Sequence, residues 1–103
     1  LDRVGRAGAV EAVVAALRAH AGSAGVQEQA CCALRSLAAN NDENKTRART
    51  VGAVEAVAAA MHTHTGSADV QGQACWALHS LAANNDENKT RARTVGAVEA
   101  VAA

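Results

Sequence analysis

The stretch SLAANNDENKTRARTVGAVEAVAA occupies Ser36 to Ala59 and returns unaltered at Ser80 to Ala103, so 24 residues of a 103-residue chain are spelled out twice. A catalytic constellation does not copy solvated and buried positions alike. The duplication therefore marks a structural unit, and the unit has to be read before any single residue is read as a site. Val51 recurs as Val95, Cys31 as Cys75, and Gly8 as Gly52 and Gly96, all at a spacing of 44 residues. Helical solenoids built of two or three helices per unit have repeats of about 40–47 residues, and propeller blades are of similar size. Blades need four short strands rich in β-branched and aromatic residues. A chain rich in alanine with one Trp and neither Phe nor Tyr cannot supply them. The repeat predicts an all-α protein.

Each unit divides into three helical pieces. The first begins at Asn40 or Asn41, where an Asn side chain can cap free backbone N–H groups; Glu43 stands three residues after Asn40 as in a capping box, and acidic Asp42 and Glu43 suit the positive helix start. It stops at Gly52. The second carries Val54, Val57 and Met61, matched one unit earlier by Val10, Val13, Val14 and Leu17, an i, i+3, i+4, i+7 stripe that faces a core. Gly66-Ser67 closes it and caps the next helix. The third runs from about Ala68 to Asn84 with Val70, Ala74, Leu78 and Leu81 on one face, matched by Val26, Ala30, Leu34 and Leu37. With no proline anywhere, the turns rest on Gly and Asn alone.

Counted this way, residues 1–103 form one repeat array: a partial repeat over about 1–40, a full repeat over about 41–84, and a partial repeat over about 85–103. Neither terminal unit exchanges its apolar stripe for a polar outer face, as a solenoid ending in water requires. The missing initiator Met and the missing caps predict a fragment of a longer protein. The uncovered stripe of Val98 and Val101 predicts end-to-end self-association with the first unit of another copy.

The totals limit what such an array can do. Ten Lys and Arg balance ten Asp and Glu, so no net charge draws the chain toward nucleic acid, an anionic membrane or an acidic partner from afar. Twelve Val and six Leu among many Ala make a thin core, because hydrophobic stabilisation scales at roughly 25 cal/mol per Å² of apolar surface buried. Three cysteines, two adjacent at Cys31 and Cys32, form no small-secreted-domain pattern and predict free thiols in a reducing compartment. The expected location is intracellular: the cytoplasm, with the nucleus also open. No apolar run approaches the ~20 residues a bilayer span needs, and no signal-peptide core follows a basic flank. The triplets Asn44-Lys45-Thr46 and Asn88-Lys89-Thr90 match the glycosylation acceptor pattern, which without secretion is accidental.

The glycine-led GAVEAVVAAL (Gly8 to Leu17), together with VQEQACCALRSLAANNDENK (Val26 to Lys45) and VQGQACWALHSLAANNDENK (Val70 to Lys89), resembles the armadillo repeat family over nearly the whole chain. The resemblance implies a right-handed α-solenoid of three-helix units, with a period of 44 residues here. It also implies a non-enzymatic scaffold that holds a partner protein or an extended peptide on a groove lined by the third helices. HEAT repeats are the near neighbour, and the separate ENK-opened helix argues against them. The chain carries Ser36 and Ser80 where peptide-gripping armadillo units place Asn, so a regular Asn ladder is missing, and the Trp position is filled only once.

Residue spacing agrees with the groove placement. The non-core positions of the third helix form their own stripe, Gln73, Trp76, Ser80 and Asn84, preceded one unit earlier by Gln29, Cys32, Ser36 and Asn40. These eight are the candidate partner-binding residues, Trp76 foremost, because aromatic side chains are enriched among interface hot spots. The alternative is an architectural spacer that contacts neighbours through its ends. Sharper chemistry finds little support. Lys45, Arg47 and Arg49 recur as Lys89, Arg91 and Arg93, but Glu43 and Glu87 stand four residues before Arg47 and Arg91 and supply i, i+4 partners, so nucleic acid is not the expected ligand. Cys75 and His79, with His62 and His64, suggest a metal site, yet His79 and His62 are Arg35 and Arg18 one unit earlier, which reads as solvent-facing. No thiol or hydroxyl stands beside a base and an orienting group, so no catalytic residue, cofactor or small-molecule substrate is expected.

Overall fold

The structure, a computed structural model, describes residues 3–96, with side chains described over 8–96. Six α-helices follow one another: α1 (Arg3–Ala19), α2 (Ala24–Ala38), α3 (Asp42–Thr50), α4 (Ala53–Thr63), α5 (Ala68–Ala82) and α6 (Asp86–Thr94). Among the described residues there is no strand. Val98 and Val101, on which the expected end-to-end contact was placed, lie outside the described residues.

The helix starts follow from side-chain caps. Ser23 and Ser67 accept from the backbone N–H of Val26 and Val70, and Asn41 and Asn85 accept from Asn44 and Asn88. Of the two candidate asparagines, Asn41 is thus the cap. Asn40 and Asn84 do a different job: each adopts φ 54°, the left-handed conformation that turns the chain out of α2 and α5, and which Asn tolerates better than other non-glycine residues. Gly52 meets the same need between α3 and α4 at φ 79°.

The first unit departs from expectation. α1 runs unbroken from Arg3 to Ala19, so Gly8 lies inside a helix where its counterpart Gly52 opens one. Ala7, the best helix former, stands where the later unit has β-branched Val51, and nothing earlier in the described chain forces a turn there.

α2 and α5 lie side by side as the most extensive helix pair, while α1 packs against α2, α3 and α4, and α4 against α5 and α6. One continuous core runs between them through Val10, Val14, Leu17, Cys31, Leu34, Val54, Val57, Met61 and Leu81. Counterpart residues make counterpart contacts. Buried Gln27 donates to the carbonyls of Leu17 and His20 at the end of α1, and Gln71 donates to those of Met61 and His64 at the end of α4. Each glutamine satisfies two carbonyls that the helix end leaves free. Asn44 and Asn88 likewise donate to Leu37 and Leu81. Because both asparagine amides are buried and engaged, neither acceptor-like triplet is open to a glycosylating enzyme in the folded chain.

A candidate partner-binding face on the third helices

The stripe picked out on α2 and α5 reaches the surface unevenly. Trp76 is 55% exposed and is the only large apolar side chain standing out among the described residues. Gln29 and Ser36 are exposed, Cys32, Gln73 and Ser80 are half-buried, and Asn40 and Asn84 are exposed but lie past the helix ends in the left-handed turns. Gln73 is pressed inward far enough that its Oε1 is buried with no hydrogen-bond partner. Gln29, its counterpart, instead edges an open apolar depression formed by Ala12, Val13, Ala16, Val26 and Ala33.

Two residues missing from the predicted stripe complete the surroundings of Trp76. The guanidinium of Arg35, on α2, sits over the indole 5.3 Å from its centroid, a cation–π contact across the α2–α5 pair. His79, one turn beyond Trp76, meets the ring edge-on at 6.1 Å between centroids. Arg35 and His79 occupy the same position in successive units; His79 is exposed, as the interchange of Arg and His there predicts, whereas Arg35 is half-buried. Packing of α2 on α5 makes the difference for Arg35, since it carries the Arg35 position of one unit to the Trp position of the next.

The cysteines differ with depth. Cys31 is fully buried and its thiol is pushed up to about 12, first by burial and then by the neighbouring Cys32. A thiol held protonated this far above neutrality is no nucleophile. Cys32 and Cys75 are half-buried, and all three are free. Among the described residues no group of His, Cys, Asp and Glu gathers to hold a metal ion. His64 is taken up by the carbonyl of Ala21 at 2.8 Å.

Most of the basic residues of α3 and α6 are tied into carboxylate pairs rather than presented as a stripe; exposed Arg93 has no such partner among the described residues. Arg47 lies 3.6 Å from Glu11 and 3.8 Å from Glu43. Arg49 lies 3.2 Å from Glu87, and Arg91 lies 2.8 Å from Glu55. Only one of the two expected i, i+4 pairs forms, because Glu87 reaches back to Arg49 and Arg91 to Glu55. Buried Lys45 donates to the carbonyl of Ala83 at the end of α5, and Asn88 to that of Lys45.

Helices that repeat their caps, their carbonyl-satisfying amides and their junctions define a helical-repeat protein. Residues 2–39 match the family model Armadillo/beta-catenin-like repeat. Repeats of that family commonly bind proteins and are typically non-enzymatic scaffolds. No curated protein and no solved structure matches the chain. Among the described residues no helix is long and apolar enough to cross a membrane.

Proposed function

We propose that the chain is a section of a right-handed solenoid with 44-residue units, laid out as about 1–40, 41–84 and 85–103, that serves as a non-enzymatic protein-binding scaffold inside the cell. The partner, a protein or an extended peptide, lies along the face of α2 and α5 across Trp76, Gln73, Ser80, Asn84, Gln29, Cys32, Ser36 and Asn40. One observation carries this reading: an otherwise thrifty alanine-rich core leaves its single indole 55% exposed on the third helix. An exposed ring of that size contributes little to the isolated fold and much to an interface that covers it.

Trp76 is also the only Trp, so its emission reports on its own surroundings. Panning a displayed library of random dodecapeptides against the 103-residue chain should yield binders that shift this emission and are lost on Trp76→Ala. Binders indifferent to Trp76→Ala would remove the third-helix face from consideration.

A second reading has its own support. Ala56, Val57, Ala60 and Val70 are buried where the first unit covers them, whereas their counterparts Ala12, Val13, Ala16 and Val26 remain partly or wholly open. A spacer or stacking segment would use that open end, in end-to-end self-association or in contact with another repeat. Such a role leaves Trp76→Ala silent and responds to Val13→Lys.

A further inference from the structure

We infer that the Trp76 face is specific for acidic peptide segments, in which an Asp or Glu carboxylate takes the free N–H donors of Arg35 while a neighbouring apolar side chain covers the open part of the indole. The inference rests on the third-helix face being the binding surface and deepens that reading by naming the occupant.

Most of the described arginines are already engaged within the chain. Arg47, Arg49 and Arg91 each face a carboxylate within 3.6 Å, and Arg18 donates to the carbonyl of Val51 at 2.9 Å. Arg35, like exposed Arg93, makes no ion pair and no side-chain hydrogen bond with any described residue, but of the two it is Arg35 that is half-buried and held over the ring of Trp76. With its Cζ 5.3 Å from the ring centroid and no donor spent on a described residue, the guanidinium keeps for a ligand the fork of N–H groups that matches a carboxylate. Holding it on the indole also fixes it in advance, so less side-chain freedom is lost when an anion arrives.

The Arg35 contact also bears on basic ligands. One approach to the indole is already taken by a cation belonging to the protein, so an incoming Lys or Arg would have to displace Arg35 and would meet its like charge. His79 at the ring edge adds a further N–H group and no negative charge. Trp76 is therefore poorly suited to basic side chains, and the charge left uncompensated beside it is positive. With no net charge on the chain as a whole, this discrimination is local to the indole rather than a long-range attraction.

The test uses the panned dodecapeptides. Expected are sequences enriched in Asp and Glu beside an apolar residue, whose affinity for the 103-residue chain falls about tenfold on Arg35→Glu, as a reversed charge at an interface requires, and is kept within about threefold on Arg35→Lys. Circular dichroism identical to the parent chain's shows that the variants fold. Binders that depend on Trp76 but are basic or neutral, or acidic binders unaffected by Arg35→Glu, overturn acid selectivity while leaving the third-helix face in place. Binders that ignore Trp76→Ala, or a library that yields none, overturn both.

Discussion

Cys31 and Cys32 are adjacent in sequence and unlike in chemistry, because consecutive positions on a helix point in different directions. Burial holds Cys31 protonated to about 12, whereas an ordinary thiol ionises near 9.0. The folded value is raised, so the unfolded chain ionises first and stability falls as pH rises between those two values. The expected loss from this group is about 1.4 kcal/mol per pH unit across that window. Urea midpoints measured against pH should fall less steeply above 9 for Cys31→Ala than for the parent chain. A thiol reagent at pH 8 should label Cys32 and Cys75 in the native protein, and Cys31 only once urea unfolds it. Gln71 works at the same scale by a different means. Its amide serves the carbonyls of Met61 and His64 at 2.9 Å each, so Gln71→Ala leaves helix-end acceptors without a partner. The cost should be about 2 kcal/mol in urea unfolding, and a loss below about 0.5 kcal/mol would show that water replaces the amide fully.

At the scale of the helices, turns decide the architecture. Gly8 and Gly52 share the local sequence GAVEAV, yet one is helical and the other breaks the chain at φ 79°. Identical neighbours on one side do not settle the outcome. The later junction is pinned by Arg18, which reaches from α1 to the carbonyl of Val51, its terminal nitrogen only 2.5 Å from where a Cβ on Gly52 would stand. The side chain of Arg18 can swing aside, so the lasting penalty of Gly52→Ala is the left-handed backbone, about 1–2 kcal/mol. Thermal melts of Gly52→Ala and Arg18→Ala, singly and together, should show the glycine substitution as the costlier. The helix starts themselves were legible: Ser67 and Asn85 cap where their spacing placed them, and the apolar stripe Val54, Val57, Met61 is buried. The ion pairs were legible only in part: Glu43 meets Arg47 as their spacing suggests, whereas Glu87 meets Arg49 and Arg91 meets Glu55 from other helices.

Over the whole molecule, measuring 37 × 27 × 17 Å, one core runs on from unit to unit and a unit's apolar stripe is closed where a neighbour covers it, as the burial of Val57 and the half-exposure of its counterpart Val13 show. The proposed stacking end predicts concentration-dependent self-association in light scattering, relieved by Val13→Lys; a monomer at high concentration would count against it. The repeat, its three helical pieces, the capping residues and the core stripe followed from the sequence alone, because each depends on residues within a few turns of one another. So did the singling out of Trp76. What surrounds Trp76 did not. Arg35 comes to the indole from 41 residues earlier, through packing of one helix on another. Contacts of that range leave no periodic trace in a sequence, since the separation between partners is set by how units stack and not by the pitch of any one helix.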